Sequence, residues 1–124
     1  MDNITFQVIN NCKVLYQSDK RWLFPLFDFE AFLTQQPLDI SRAEIHDKVV
    51  GKAAAILILR LGVGSVHADV VSQIACAVFD QARLPYSFGT LVDRIDCQTE
   101  EILLDINDPE VAYRILSERA NCRT

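Results

Sequence analysis

Seven consecutive apolar residues, Ala53 to Leu59, lie in the middle of this chain and constrain its fold more than any other segment. A helix that is apolar on nearly every side must be covered on more than one side. The residues around the run predict a helix from Lys48 to Leu61, with Asp47 as its N-cap and Gly62 ending it. The chain therefore needs a fold with a buried central helix.

Composition predicts a single compact domain spanning residues 1–124. Half of the residues are hydrophobic, with only four glycines and four prolines, and a chain of this length buries roughly two-thirds of its unfolded surface. The four cysteines fall in no CxxC pair, so neither a zinc ribbon nor a disulfide scaffold is indicated. Reduced thiols of a cytoplasmic protein are the simplest interpretation.

Charge and hydropathy exclude two classes of partner. The net charge of −5 and pI near 4.9 argue against nucleic acid, whose binding proteins usually carry a basic stripe. The longest apolar run is far too short to cross a bilayer, and the N-terminus lacks the basic start and apolar run of a signal peptide. We therefore expect no membrane partner and a cytoplasmic location.

Strand and helix patterns alternate along the rest of the chain. The predicted elements are a hairpin (4–9 and 13–17), a helix (25–36), the central helix (48–61), a strand (65–71), a helix (73–83), a strand (86–92), a short helical segment (99–104) and a helix after Asp108-Pro109. A strand–helix–strand unit requires a helix packed on a sheet face. The order predicts an α/β class fold, a three-layer α/β/α sandwich with a mixed sheet.

Three separated blocks of sequence then carry a resemblance. They are Asp47–Ala55, Val66–Ser72, and Cys97-x-x-Glu100 followed by Leu104–Tyr113. Together they resemble a small prokaryotic family of unknown function with a cytidine-deaminase-like fold, over most of residues 4–117. The resemblance implies a deaminase-like sandwich without an established reaction.

The zinc site of the deaminases has no counterpart in this chain. Zinc deaminases use HxE at one helix N-terminus and PCxxC at the next. The corresponding positions here look like Val50-Gly-Lys52 and Ile74-Ala-Cys-Ala-Val78, which offer at most one ligand. We therefore expect no bound metal, no cofactor and no zinc-dependent deamination.

Polar residues at two predicted helix N-termini form the candidate binding site. They are Lys48, Gly51 and Lys52 on the first helix, Ser72 and Gln73 on the second, and Asp69 on the strand between. Backbone N–H groups and lysines at helix N-termini bind anions, so we predict a small anionic, nucleotide-like ligand. The alternative is structural, with Lys52 and Asp69 forming an internal ion pair.

Two further functions stay open at this point. A zinc-free enzyme could use Lys52, or Cys97 as a weak nucleophile candidate, although the neighbouring acids Asp96, Glu100 and Glu101 oppose a thiolate. Gln98 also replaces the proline that follows this cysteine in the resembling family. Alternatively, the chain is a structural or interaction module, a homodimer formed through the aromatic-rich region Trp22–Phe32.

Overall fold

The computed structural model describes residues 4–95, 103, 105, 106 and 108–123. Its elements, in chain order, are β1 (Phe6–Asn10), β2 (Lys13–Ser18), α1 (Phe24–Gln35), β3 (Glu44–Val50), α2 (Lys52–Leu61), β4 (Ser65–Ser72), α3 (Gln73–Ala82), β5 (Tyr86–Val92) and α4 (Pro109–Arg123).

One mixed sheet organises the described residues, with strand order β2-β1-β3-β4-β5. β1 pairs antiparallel with β2 and with β3. β3, β4 and β5 run parallel, because helices α2 and α3 return the chain to the start of the next strand. The α/β class and the mixed sheet are confirmed, and the arrangement is consistent with a three-layer sandwich.

The predicted start of the central helix at Asp47 is wrong. Residues Glu44–Val50 form β3, and the helix begins only at Lys52, with Gly51 as its N-cap. β3 fills the middle of the sheet between β1 and β4. Pairing with distant strands thus overrides the local resemblance of Asp47 to a helix cap.

The other helix boundaries follow the local sequence signals. The Ser72 hydroxyl accepts a hydrogen bond from the Ala75 amide at 3.1 Å and caps α3, which begins at Gln73 as predicted. Gly62, with φ +80°, ends α2 in the left-handed conformation that glycine adopts without strain. The predicted helical segment 99–104 lies outside the described residues except for Leu103.

The apolar face of the sheet packs against the helices. One row across the five strands consists of Tyr16, Val8, Ile45, Val66 and Tyr86. Phe29 on α1 packs against Tyr16, with their ring centroids 5.1 Å apart. Phe79 on α3 packs against Tyr86, with their ring centroids 5.3 Å apart.

The first seven residues of α2, Lys52–Ile58, are all buried. α2 contacts α1, α3 and β3, and α4 also packs on it. A helix covered on several sides is what the apolar run predicted.

The aromatic region Trp22–Phe32 belongs to this core. Phe29 is fully buried, and Trp22, Phe27 and Phe32 are partly buried against the core. The large exposed hydrophobic residues among those described lie elsewhere, at Val14, Leu38, Val49, Phe88 and Leu91. A homodimer through the Trp22–Phe32 region stays a prediction.

No described helix has the length and hydropathy needed to cross a membrane.

Candidate functional site

The N-termini of α2 and α3 lie side by side at the carboxyl ends of two parallel strands. Val50 of β3 pairs with Val71 of β4, and Gly51 and Ser72 follow directly. Both helices therefore begin at the same edge of the sheet. In open α/β sheets this edge is where ligands bind.

The first turn of α2 combines an uncapped terminus with a buried lysine. Gly51 provides no side-chain hydrogen bond to the helix. The next residue, Lys52, is only 3% exposed, and its Nζ donates a hydrogen bond to the backbone carbonyl of Leu103. Lys52 therefore ties the segment around Leu103 to the start of α2.

The first turn of α3 uses its polar side chains within the chain. Ser72 is fully buried, and its hydroxyl caps the helix at Ala75. Gln73 is exposed, and its side-chain amide donates to Asp93 at 3.2 Å. Gln73 is thus the accessible polar side chain of this terminus.

Lys48 and Asp69 lie on strands. Lys48 is exposed on β3, so the expectation that it shares the first turns of a helix with Lys52 is wrong. The Asp69 carboxylate lies 3.8 Å from His67 Nε2 and is 66% exposed. No Lys52–Asp69 salt bridge joins these two described residues, because one side chain is buried and the other faces solvent.

Asp47 is a half-buried carboxyl on central strand β3. Burial and, to a smaller extent, the negative charge of Asp69 raise its pKa to about 7, while hydrogen bonds from the Lys48 and Val49 amides act in the opposite direction. Asp47 therefore changes charge near neutral pH. The sequence interpretation assigned it to a helix N-cap; its carboxyl does accept backbone amides, but those of a strand.

A row of five polar residues crosses the whole sheet, one from each strand. In strand order they are Gln17, Gln7, His46, His67 and Ser87, which we call the polar row. Gln7 Nε2 donates to Gln17 Oε1 at 3.2 Å, and His67 Nδ1 lies 2.7 Å from Ser87 Oγ. The imidazole centroids of His46 and His67 are 5.4 Å apart.

Two carboxylates flank the histidines of the polar row. Glu44 Oε1 lies 2.5 Å from His46 Nε2, and Glu44 Oε2 accepts from Ser65 Oγ at 3.2 Å. Asp69 lies beside His67. The His46, Glu44 and His67 side chains are 40%, 41% and 35% exposed, so solvent reaches this cluster.

The sequence patterns did not single out His46 or His67, so this cluster was not predicted. Predicting the cluster requires predicting β3, because His46 and His67 are aligned only when both residues lie on neighbouring strands. The alternation of Glu44, Ile45 and His46 between polar and apolar residues was the available indication.

The described residues contain no group of three or more His, Cys, Asp or Glu side chains arranged to hold a metal ion. The thiol of Cys12 is exposed and that of Cys76 is half-buried. Cys97, the predicted weak nucleophile, lies outside the described residues.

A separate cleft of about 430 Å³ lies between α1 and α4. Two of its lining residues, Glu30 and Tyr113, contact Arg60. The Arg60 guanidinium lies 2.6 Å from Glu30 and 2.8 Å from Glu110 and stacks 3.7 Å over the Tyr113 ring. The Tyr113 hydroxyl donates to Glu30 at 2.7 Å. These charges are paired within the protein, which indicates a structural network joining three helices.

The fold and the site define an α/β domain whose parallel strands end at two adjacent helix N-termini and whose sheet carries a solvent-exposed polar row. The chain belongs to a family described as "Domain of unknown function (DUF1893)", whose model matches residues 2–120.

A solved structure shares this fold. It is that of a DUF1893 family protein (TM1506) from Thermotoga maritima, with a TM-score of 0.83 and 22% sequence identity. The match covers 94% of this chain and 81% of that one. No curated protein matches the chain.

Proposed function

We propose that this DUF1893 domain binds a small anionic, nucleotide-like ligand at the paired N-termini of α2 and α3. The observation that carries the proposal is the uncapped first turn of α2 at Gly51, adjacent to the start of α3. Amide groups of such a turn attract anions through hydrogen bonds and the helix dipole. A kinship with cytidine-deaminase-like folds, without their zinc, is part of the same proposal.

Each predicted residue has a distinct role in this proposal. Gly51 allows the ligand to approach the backbone, and exposed Lys48 and Gln73 supply a cation and an amide. Buried Lys52 contributes positive charge to the site while its Nζ donates a hydrogen bond to the Leu103 carbonyl. Ser72 acts indirectly, since its hydroxyl fixes the first turn of α3.

Two acidic residues limit the ligands that fit. Asp69 on β4 and Asp93, which accepts from Gln73, add negative charge near this edge. A ligand with one compact anionic group and hydrogen-bond donors elsewhere therefore suits the site better than a polyanion. A nucleoside monophosphate has these properties.

Calorimetric titration with inorganic phosphate and with adenosine monophosphate tests the proposal. We expect saturable binding of the nucleotide that the exposed-residue variant Lys48→Ala weakens. Lys13→Ala is the matched control, because it removes another exposed strand lysine at the far edge of the sheet. The proposal would be contradicted if neither phosphate nor adenosine monophosphate bound. It would also be contradicted if Lys48→Ala and Lys13→Ala weakened nucleotide binding equally.

A further inference from the structure

The strand β5 ends the sheet and differs from an ordinary parallel strand. One of its edges pairs with β4, and no described strand pairs with the other. Residues 87–91 are all exposed, including the large apolar side chains of Phe88 and Leu91 at 42% and 46%. Parallel strands are normally buried, so this exposure requires an explanation.

The β5 edge lacks the devices that usually keep sheet edges apart. No charged residue occurs from Leu84 to Val92, and proline precedes the strand only at Pro85. The opposite edge strand, β2, begins with Lys13, and its pairing with β1 contains a register shift. Charges and bulges of that kind prevent edge pairing, and a long uncharged edge invites it.

The hydrogen-bonding groups of this edge are available within the described part of the chain. Outside the strand ladder, the backbone hydrogen bonds between described residues include none from residues 87–92. Two polar side chains of the strand are engaged within the chain, with Ser87 bonded to His67 and the Tyr86 hydroxyl to Asp80 at 3.0 Å. The main chain is therefore what this edge offers to a partner.

We infer that the free edge of β5 pairs antiparallel with β5 of a second copy of this chain, forming a two-fold dimer with a continuous ten-stranded sheet. Centred on Gly89, this pairing places Phe88 opposite the partner's Thr90 and Tyr86 opposite the partner's Val92. Aromatic and β-branched residues in opposite positions stabilise antiparallel pairs. Two-fold contacts of this self-complementary kind close without further growth.

Charge complementarity favours the antiparallel direction of the pair. Exposed Arg83 precedes β5, and exposed Asp93, with exposed Arg94 next to it, follows the strand. In the antiparallel dimer, Arg83 lies diagonally across from the partner's Asp93, within reach of a long side chain. A parallel pair would bring like charges together instead, and like charges oppose association.

Sedimentation of the purified protein tests the dimer. We expect twice the 14.0 kDa chain mass. Leu91→Lys adds a charge at the proposed contact and should weaken the dimer on the order of tenfold or more. Val14→Lys is the matched control, because Val14 is 45% exposed on the opposite edge strand; it should leave the dimer intact.

Exchanging the flanking charges tests the direction of pairing. R83D and D93R should each weaken the dimer, and the double variant should restore it. Hydrogen exchange should show residues 87–92 protected in the wild-type protein relative to Leu91→Lys. The inference is overturned by a monomeric wild type, by a dimer unaffected by Leu91→Lys, by equal loss with Val14→Lys, or by no restoration in the double variant.

Discussion

His46 and His67 lie directly opposite each other on neighbouring parallel strands, with their ring centroids 5.4 Å apart. This alignment exists because β3 occupies the centre of the sheet. It places two imidazoles, each beside a carboxylate, on the solvent-exposed side of strands whose other side builds the core.

Two adjacent residues of β3 provide a direct test of this strand. Ile45 is fully buried, and the His46 side chain is 40% exposed. We expect Ile45→Ala to lower the free energy of unfolding by about 2–4 kcal/mol, and His46→Ala to change it by less than about 1 kcal/mol. Urea denaturation measures both. Equal losses would contradict the assignment of opposite faces.

The raised pKa of Asp47 predicts a stability that depends on pH. Its ordinary value is 3.8 and its folded value about 7, so its favourable contribution is full below about pH 4 and is lost as pH rises through about 7. Asp47→Asn removes this dependence. We expect the variant to gain stability relative to the wild type between pH 4 and pH 8, by at most about 4 kcal/mol.

Thermal unfolding of Asp47→Asn at several pH values measures this effect. Asp39→Asn is a suitable control, because the hydroxyl and amide of Ser41 lower the pKa of the exposed Asp39 carboxyl. Its pH dependence should have the opposite sign. An Asp47→Asn variant whose stability follows that of the wild type across this range would show that the carboxyl titrates normally.

Lys52→Met removes the ammonium that binds the Leu103 carbonyl while keeping most of the side-chain volume. The Leu103 carbonyl keeps the Ile106 amide as a donor at 3.0 Å, so the variant loses one buried hydrogen bond from a charged group. Such a bond contributes about 1.5–3 kcal/mol, and the melting temperature should fall by several degrees. Lys48→Met, at an exposed position, should leave it unchanged. If Lys52→Met melts like the wild type, its ammonium does not stabilise the fold.

Arg60 connects α2 to α1 and α4 through two carboxylates and an aromatic ring. The Arg60 side chain is 18% exposed, and removal of one partner of such a network costs about 1–3 kcal/mol. We expect Arg60→Ala to lose stability in this range and high salt to reduce the difference. Arg114→Ala, an exposed position on α4, is the control for loss of charge alone.

Local signals in the sequence predicted most elements of the fold. Ser72 caps α3, Gly62 ends α2, and the apolar run forms a buried helix, because each depends on nearby residues. β3 escaped prediction because its pairing with β1 and β4 decides its conformation. Asp47 also suits a helix N-cap, and the short alternation of Glu44, Ile45 and His46 was the only local indication of a strand that we find.

The candidate site was predicted only in part, for the same reason. Gly51 and Ser72 lie side by side as expected, because strands of a βαβ unit end at one edge. One hydrogen-bond partner of Lys52 is a backbone carbonyl about fifty residues later in the chain, which no spacing rule reveals. The polar row likewise depends on the register of all five strands.

The position of β3 also bears on how the protein folds. It joins the antiparallel β1–β2 hairpin to the parallel β4–β5 half, so neither half has a complete sheet without it. Its contacts with β1 and β4 require the closure of long loops on both sides, which slows folding compared with local hairpins. The folding rate of this domain should therefore be limited by the pairing of β3 with β1 and β4. Cleavage of the chain on either side of β3 should abolish cooperative folding of both halves.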